Sequence, residues 1–306
     1  MSQVPGLPQV LTYLLLSLTL TAAAGAQQGL RPVPFASQPP TPRQGSLVTL
    51  LVTPTSQDGD SVVAVLGELA GEPLHFELGP AGGFRALAGV PLDAPDTIAV
   101  RLVLQRVTGV VDTAELRLRV ARRRAVVERI ATAPRFVDAP DSTSMARIME
   151  ERELARAVAR GAHAIPRLWV ERFVRPRPRK SRVTSPFGIQ REVNGILGGK
   201  HQGVDVAGAT GAPVRAANRG VVELVGDFYY GGISVYLCHG AGLVTAYHHL
   251  SRAVVAVGDT VERGEIVGRV GATGRVTGPH LHWGAQYGRL SVDPGDLLTL
   301  LAVRPD

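Results

Sequence analysis

The chain has 306 residues, a length that allows about two domains, and a formal net charge of +7. Hydrophobic residues make up 45% of it, enough for a sizeable core. Its single cysteine, Cys238, excludes an intrachain disulfide. Nucleic-acid binding is disfavoured, because the chain contains no recognised nucleic-acid-binding module and its basic clusters at residues 122–124 and 175–182 contain no aromatic residues for a stacking platform. Frequent Gly, Pro and Val with few aromatic residues favour strands and turns over helices.

Residues 1–26 are predicted to be a signal peptide. An apolar core at residues 10–20 is followed by Ala24-Gly25-Ala26, which fits a small-x-small cleavage site. No Lys or Arg precedes Arg31, so the usual positive start is missing, and retention as an anchor is the alternative. The sequence therefore predicts export to the periplasm or the extracellular side of the cell envelope, where a basic protein suits polyanionic surfaces.

The next part of the chain is predicted to be a disordered lead-in followed by a small antiparallel β-sandwich. Residues 27–43 are rich in Pro, Gln and Ser and form the lead-in. Residues 44–135 contain short strand-forming runs separated by Gly and Pro, and any immunoglobulin-like label rests on this strand count. The runs are residues 46–52, 61–66, 74–78, 97–107 and 113–120.

Residues 136–179 are predicted to form a linker helix and a basic linker. Asp141 or Ser142 can cap the start of a helix that reaches about Ala162, with Glu and Arg residues at helical spacing. The arginine-rich stretch 175–182 is typical of solvated linker charge, with peripheral association with the cell envelope as the functional interpretation. A second strand-rich domain at residues 180–306 completes a mainly β protein.

Two short motifs in this second domain contain candidate metal ligands. His280 and His282 lie two apart in a predicted strand, so both side chains point to the same face. His201 and Asp205 lie four apart around a glycine. With His282 they offer two imidazole nitrogens and one carboxylate oxygen, which are good zinc donors. Three ligands with a fourth position left for water are the pattern of a catalytic zinc site rather than a structural one.

Further histidines are candidates for proton transfer in such a site. Hydrolysis at a zinc site needs a group that accepts a proton from water and a donor for the oxyanion. His280 is one candidate, and His248 or His249 is the second. Because neighbours in a strand face opposite ways, only one of that pair is expected to enter the site, and the residue pattern leaves the choice open.

These motifs, in this order, resemble the lysostaphin-type (LytM-like) zinc metallopeptidase family. The resemblance covers about residues 180–298. It rests mainly on His201-Gln-Gly-Val-Asp205, on Tyr247-x-His249-Leu250-Ser251, and on Gly271-x-Thr273-Gly274-x-x-Thr277-Gly278-Pro279-His280-Leu281-His282. The N-terminal region also looks like the immunoglobulin-like region that precedes this domain in some bacterial members.

The resemblance implies an antiparallel β-sheet peptidase domain that acts on peptidoglycan. It makes His201, Asp205 and His282 the zinc ligands. It makes His249 and His280 the catalytic pair, and it selects His249 over His248 because the family's histidine directly precedes Leu-Ser. The implied activity is zinc-dependent hydrolysis of peptide bonds in peptidoglycan cross-links or stems.

Two alternatives from other functional classes are weighed against this reading. Some members of the family have lost ligands and instead activate cell wall amidases, but here all five site positions are present. A plain envelope-binding protein that uses the sandwich and the basic linker is the second alternative. A second histidine at position 248 and Cys238 before His239 depart from the family's pattern, although neither affects the five site positions.

Overall fold

The described part of the chain comprises residues 33–55, 60–79, 82–133, 136 and 140–300 of a computed structural model. The predicted signal peptide and the beginning of the lead-in lie outside these residues. No helix within these ranges is long and apolar enough to cross a membrane.

Within these ranges, nine strands precede the first helix. They are β1 (Phe35–Gln38), β2 (Leu47–Val52), β3 (Val62–Leu69), β4 (Glu72–His75), β5 (Glu77–Leu78), β6 (Phe84–Gly89), β7 (Thr97–Arg106), β8 (Val111–Arg119) and β9 (Val127–Ile130). The first eight form two four-stranded antiparallel sheets, with the orders β1-β2-β6-β5 and β4-β3-β7-β8. Alternate residues of β7 (Val100, Leu102 and Leu104) are buried in a core that also contains Leu50 of β2, as expected for sheets that share one apolar interior.

Strand β1 lies inside the stretch that was predicted to be disordered, so that prediction was wrong for residues 35–38. The strand pairs antiparallel with β2, with Phe35 opposite Val52. Val33 and Phe35 pack against the hydrophobic core, and Ser37 is buried. The alternation of inward-facing residues is limited to Val33, Phe35 and Ser37, and prolines and polar residues surround it. Such a short pattern does not predict a strand.

The predicted helix is α1 (Ser142–Gly161). Of the two predicted caps, Asp141 is the one that caps it, and its carboxylate accepts a hydrogen bond of 2.7 Å from the amide of Ser144. A short 3-10 turn follows at residues 162–164, and its Ala162 is buried against Phe228 and Tyr236 of the second half of the chain. The helix is therefore anchored at its C-terminal end.

Twelve strands and a short helix follow in the described C-terminal residues. They are β10 (Val183–Ser185), β11 (Gln190–Val193), β12 (Ile196–Lys200), β13 (Gly203–Ala207), β14 (Pro213–Arg215), β15 (Gly220–Phe228), β16 (Gly232–Gly240), β17 (Leu243–Ala253), β18 (Thr260–Val261), β19 (Ile266–Val270), β20 (His280–Tyr287), β21 (Leu290–Val292) and α2 (Pro294–Leu297). Most form one antiparallel sheet with the central order β10-β13-β20-β17-β16-β15-β18. The predicted mainly β fold, with small N-terminal sheets and a C-terminal antiparallel sheet, is confirmed.

The N-terminal sheets pack directly against the C-terminal sheet. The Tyr287 hydroxyl donates a 2.7 Å hydrogen bond to the carbonyl of Pro73, and the amide of Leu47 donates one of 2.9 Å to the carboxylate of Asp296. Strand β9 leaves the sandwich and pairs in parallel with β11, giving a three-stranded sheet of order β12-β11-β9. Both halves therefore belong to one compact unit.

Candidate active site and metal centre

Three adjacent strands of the large sheet place the candidate site residues. Asp205 on β13 lies directly opposite His282 on β20, and β20 also pairs with β17, which contains His248 and His249. On β20, Leu281 and Trp283 are buried in the core, so His280 and His282 point to the other face, as the strand alternation predicts. His201 lies two residues before β13, and its amide donates a 2.8 Å hydrogen bond to the carbonyl of Ile189.

The donor atoms of His201, Asp205 and His282 converge on one point. His201 Nε2 lies 3.2 Å from Asp205 Oδ1, and His282 Nδ1 lies 2.8 Å from that oxygen and 2.9 Å from His201 Nε2. Ligands at tetrahedral zinc are roughly 3.3 Å from one another when each bond is about 2.0–2.1 Å. The two nitrogens and one oxygen therefore fit a zinc ion, and within the described ranges they are the one such group of three or more His, Cys, Asp or Glu donors.

The environment of each candidate ligand prepares it for a cation. His201 Nδ1 donates a 2.9 Å hydrogen bond to the carbonyl of Pro186, which leaves the lone pair of Nε2 facing the site. Burial alone would raise the pKa of Asp205, but its interactions with the His201 and His282 imidazoles outweigh burial and hold that pKa below its usual range. Burial lowers the pKa of His282 to about 4, so its imidazole is neutral near pH 7.

His249 and His280 lie beside this group with matching tautomers. His249 Nδ1 donates a 2.9 Å hydrogen bond to the carbonyl of Thr273, and His280 Nδ1 donates one of 2.8 Å to the carbonyl of Gly278. Each ring therefore keeps the lone pair of Nε2 free of a backbone donor. The two ring centroids are 4.9 Å apart, and His280 Nε2 lies 3.6 Å from Asp205 Oδ1. The pKa of His249 lies well below its usual value, mainly because the ring is buried and secondly because His282 is near. The neutral imidazole of His249 can therefore act as a base.

The expectation that only one of His248 and His249 enters the site was wrong. The pairing of β16 with β17 shifts register here, because Val235 pairs with Tyr247 whereas Ile233 pairs with Leu250. His249 has a φ of +60°, and a bulge of this kind breaks the strict alternation of a strand. His248 lies directly opposite His282 on β20, with ring centroids 5.3 Å apart, and the bulge allows His249 to approach as well, with its centroid 5.9 Å from that of His282.

His248 is held in the bulge by a neighbour that the motifs do not indicate. Its Nδ1 lies 2.7 Å from the hydroxyl of Ser234 on β16. The pKa of His248 is lowered to about 3, mainly because the ring is buried and secondly because His282 is near, and the ring is therefore neutral. His248 therefore lies beside His282 as a neutral imidazole held by Ser234.

Cys238 and His239 do not form a thiol nucleophile. Burial raises the pKa of the fully buried Cys238 thiol, which keeps it protonated. His239 is buried with one ring nitrogen 2.7 Å from the carbonyl of Arg219 and the other 2.8 Å from the hydroxyl of Thr245. These contacts give the pair a structural role.

Comparison with known proteins shows which family the sequence around this site matches. Residues 199–294 match the sequence profile of Peptidase family M23. These residues form a peptidase family M23 domain. The match includes all five candidate site residues, which the structure brings together at one face of the sheet.

Curated relatives of this M23 domain are named as endopeptidases. A 104-residue stretch is 41% identical to peptidoglycan DD-endopeptidase ShyC of Vibrio cholerae and covers 33% of this chain and 24% of that protein. A 91-residue stretch is 45% identical to glycyl-glycine endopeptidase ALE-1 of Staphylococcus capitis and covers 29% of this chain and 25% of that protein. The matched part thus spans about a quarter of these curated relatives' length.

A solved structure is similar over both halves of the chain. The crystal structure of a putative peptidase M23 from Pseudomonas aeruginosa aligns with a TM-score of 0.62 and 26% identity. The alignment covers 86% of this chain and 96% of that one. The likeness therefore extends beyond the M23 domain into the N-terminal sheets.

Gly203 allows His282 to approach the other two candidate ligands. A Cβ atom at this position would lie 2.5 Å from His282 Nε2 and 2.6 Å from the carbonyl oxygen of Trp283. Gly203→Ala is expected to displace the imidazole and to weaken zinc binding by about 10- to 100-fold, as for other groups that orient ligands. Zinc titration of the purified variant measures the effect. Gly199→Ala is the control, because a Cβ there meets nothing within 4 Å; equal affinities in the two variants would contradict the prediction.

Proposed function

We propose that the protein is a zinc-dependent metalloendopeptidase that hydrolyses peptide bonds in the cross-links or stem peptides of bacterial peptidoglycan. The observation that carries this proposal is the convergence of the donor atoms of His201, Asp205 and His282 beside two histidines with free Nε2 atoms. Two nitrogens and one oxygen with an open fourth position favour zinc in a catalytic site. The relative named as a peptidoglycan DD-endopeptidase supports the substrate class.

In this proposal, His249 and His280 manage the protons of the reaction. A zinc ion held by the three ligands would polarise the scissile carbonyl and lower the pKa of a water molecule. One imidazole Nε2 accepts the proton of the attacking water and passes it to the leaving amine. The other imidazole, when protonated, donates a hydrogen bond to the developing oxyanion. The carbonyls of Thr273 and Gly278 fix both rings with Nδ1 protonated, which keeps each Nε2 available.

We also propose the chain organisation and location that this substrate requires. Residues 1–26 would direct export, and residues 44–135, 136–179 and 180–306 would form the sandwich, the linker and the peptidase domain. Peptidoglycan lies outside the cytoplasmic membrane, so the enzyme would act in the periplasm or at the cell surface. The basic residues of the linker would favour peripheral contact with this polyanionic envelope.

Release of soluble fragments from purified peptidoglycan tests the activity. Residues 27–306 are expected to release peptide-containing fragments, a chelator is expected to stop the release, and added zinc is expected to restore it. Mass spectrometry of the fragments identifies the bond that is cut. A folded, zinc-loaded protein that releases nothing would contradict the hydrolase and favour a non-catalytic amidase activator, which the addition of a purified amidase would then reveal.

A further inference from the structure

The second carboxylate oxygen of Asp205 is held from outside the ligand group. Oδ1 faces His201 and His282, whereas Oδ2 forms an ion pair with the guanidinium of Arg191 on β11. The same guanidinium nitrogen donates a 2.9 Å hydrogen bond to the hydroxyl of the buried Ser185. A carboxylate fixed in this way presents one oxygen to a cation and cannot rotate freely.

Arg191 is itself held by a carboxylate from the other half of the chain. Glu128 on β9 accepts a 3.2 Å hydrogen bond from Arg191 Nε and one of 2.8 Å from the Ser185 hydroxyl. The parallel pairing of β9 with β11 places Glu128 and Arg191 directly opposite each other. Glu128 precedes the part of the chain that matches Peptidase family M23, so no family motif predicts it.

The charge of Arg191 explains why Glu128 is needed. A guanidinium beside Asp205 orients the carboxylate, but its positive charge also opposes a divalent cation on the other oxygen. Glu128 neutralises that charge, and the side chains of Arg191 and Glu128 are only 20% and 26% exposed, so solvent screens the pair incompletely. The pair thus keeps the orienting hydrogen bond without a net positive charge.

We propose that Glu128 and Arg191 are positioning residues of the metal site, and that β9 couples the N-terminal half of the chain to zinc binding. The inference rests on the proposed function in one respect, namely that Asp205 binds the catalytic zinc. It deepens that function, because the peptidase domain as bounded at residues 180–306 lacks one of the groups that orient its own ligand. Full zinc affinity then requires a segment that lies before the linker helix.

Zinc affinity of the full chain with Glu128→Gln tests the proposal. Competition with a chromophoric chelator is expected to show a dissociation constant raised by about 10- to 100-fold, as for other residues that orient metal ligands. The matched control is Glu192→Gln. This substitution removes the 3.2 Å ion pair between Arg129 and Glu192. That pair joins the same two strands, one register position away from Glu128 and Arg191, and it is not part of the hydrogen bonds that hold Asp205. The dissociation constant of this control variant is expected to change by less than about twofold.

A double-mutant cycle separates positioning from general stability. Arg191→Gln alone is expected to weaken zinc binding, and the addition of Glu128→Gln to it should then cost much less than in the wild-type background, because no guanidinium remains to be neutralised. Thermal unfolding checks that each variant is folded, and Arg191→Met, which also carries no charge, replaces Arg191→Gln in the cycle if that variant is not. Additive effects, or equal zinc affinities for Glu128→Gln and Glu192→Gln, would overturn the proposal. Since zinc binding is measured without peptidoglycan, a failed hydrolase assay with normal zinc binding would reject only the proposed activity.

Discussion

His282→Ala is expected to abolish zinc binding and peptidoglycan hydrolysis together. His282 Nδ1 lies within 3 Å of both other donor atoms, at 2.8 Å from Asp205 Oδ1 and 2.9 Å from His201 Nε2, so its removal leaves only two ligands. Loss of a ligand exceeds the effect of losing a group that merely orients one, so zinc affinity should fall by more than about 100-fold. Fragment release should fall by about 1,000-fold or more, because the cation supplies most of the stabilisation of developing charge. Zinc content after dialysis and fragment release measure the two effects.

The same strand provides the control for this substitution. Gln286 lies four residues further along β20, pairs with Val244 rather than with the bulge of β17, and contributes no donor atom to the ligand group. Gln286→Ala is expected to keep both zinc content and hydrolysis close to those of the wild type. If His282→Ala instead retained stoichiometric zinc and full activity, the ligand set would be wrong, whatever the behaviour of the control.

Local patterns were sufficient to predict the fold class and part of the site. Alternation of apolar residues marks β7 and β8, a capping aspartate marks α1, and the two-residue spacing places His280 and His282 on one face. These features depend on residues close in sequence. Strand β6 was missed because its buried positions include Ala86 and Ala88, and alanine has a weak preference for strands.

The rest of the site depends on register between distant strands. Asp205 lies opposite His282 only because β13 pairs with β20, and the residues alone do not define that pairing. The bulge that brings His249 to the same side as His248 interrupts a run that reads as a regular strand. Glu128 and Arg191 meet through β9 and β11, which are separated by the whole of α1, so no local signal connects them. Family resemblance supplied the proposed ligands and the proposed catalytic pair, but it contained no information on residues outside its motifs.

His280→Ala is expected to separate catalysis from metal binding. His280 Nε2 lies 3.6 Å from Asp205 Oδ1, and His280 supplies none of the three donor atoms of the proposed zinc site. The zinc affinity of the variant should therefore change by less than about threefold. Hydrolysis should fall by about 100- to 10,000-fold, the usual contribution of a general acid or base. The rate of fragment release by the zinc-loaded variant, compared with its zinc content, measures the separation. His280 is a cleaner test than His249, because the φ of +60° at His249 adds a backbone effect to any substitution there.

His248→Ala is the matched comparison for His280→Ala, since it also removes an imidazole beside His282. The His248 ring is held by Ser234 and packs 5.3 Å from the His282 ring, but the protein's proposed chemistry assigns it no proton transfer. Its loss should therefore reduce hydrolysis by less than about tenfold, through a less firmly packed ligand. If His248→Ala abolished hydrolysis while His280→Ala left it within about threefold, the bulge would have placed a different histidine in the catalytic role. The proton transfer would then belong to the pair His248 and His249 on β17, and β20 would supply only the ligand.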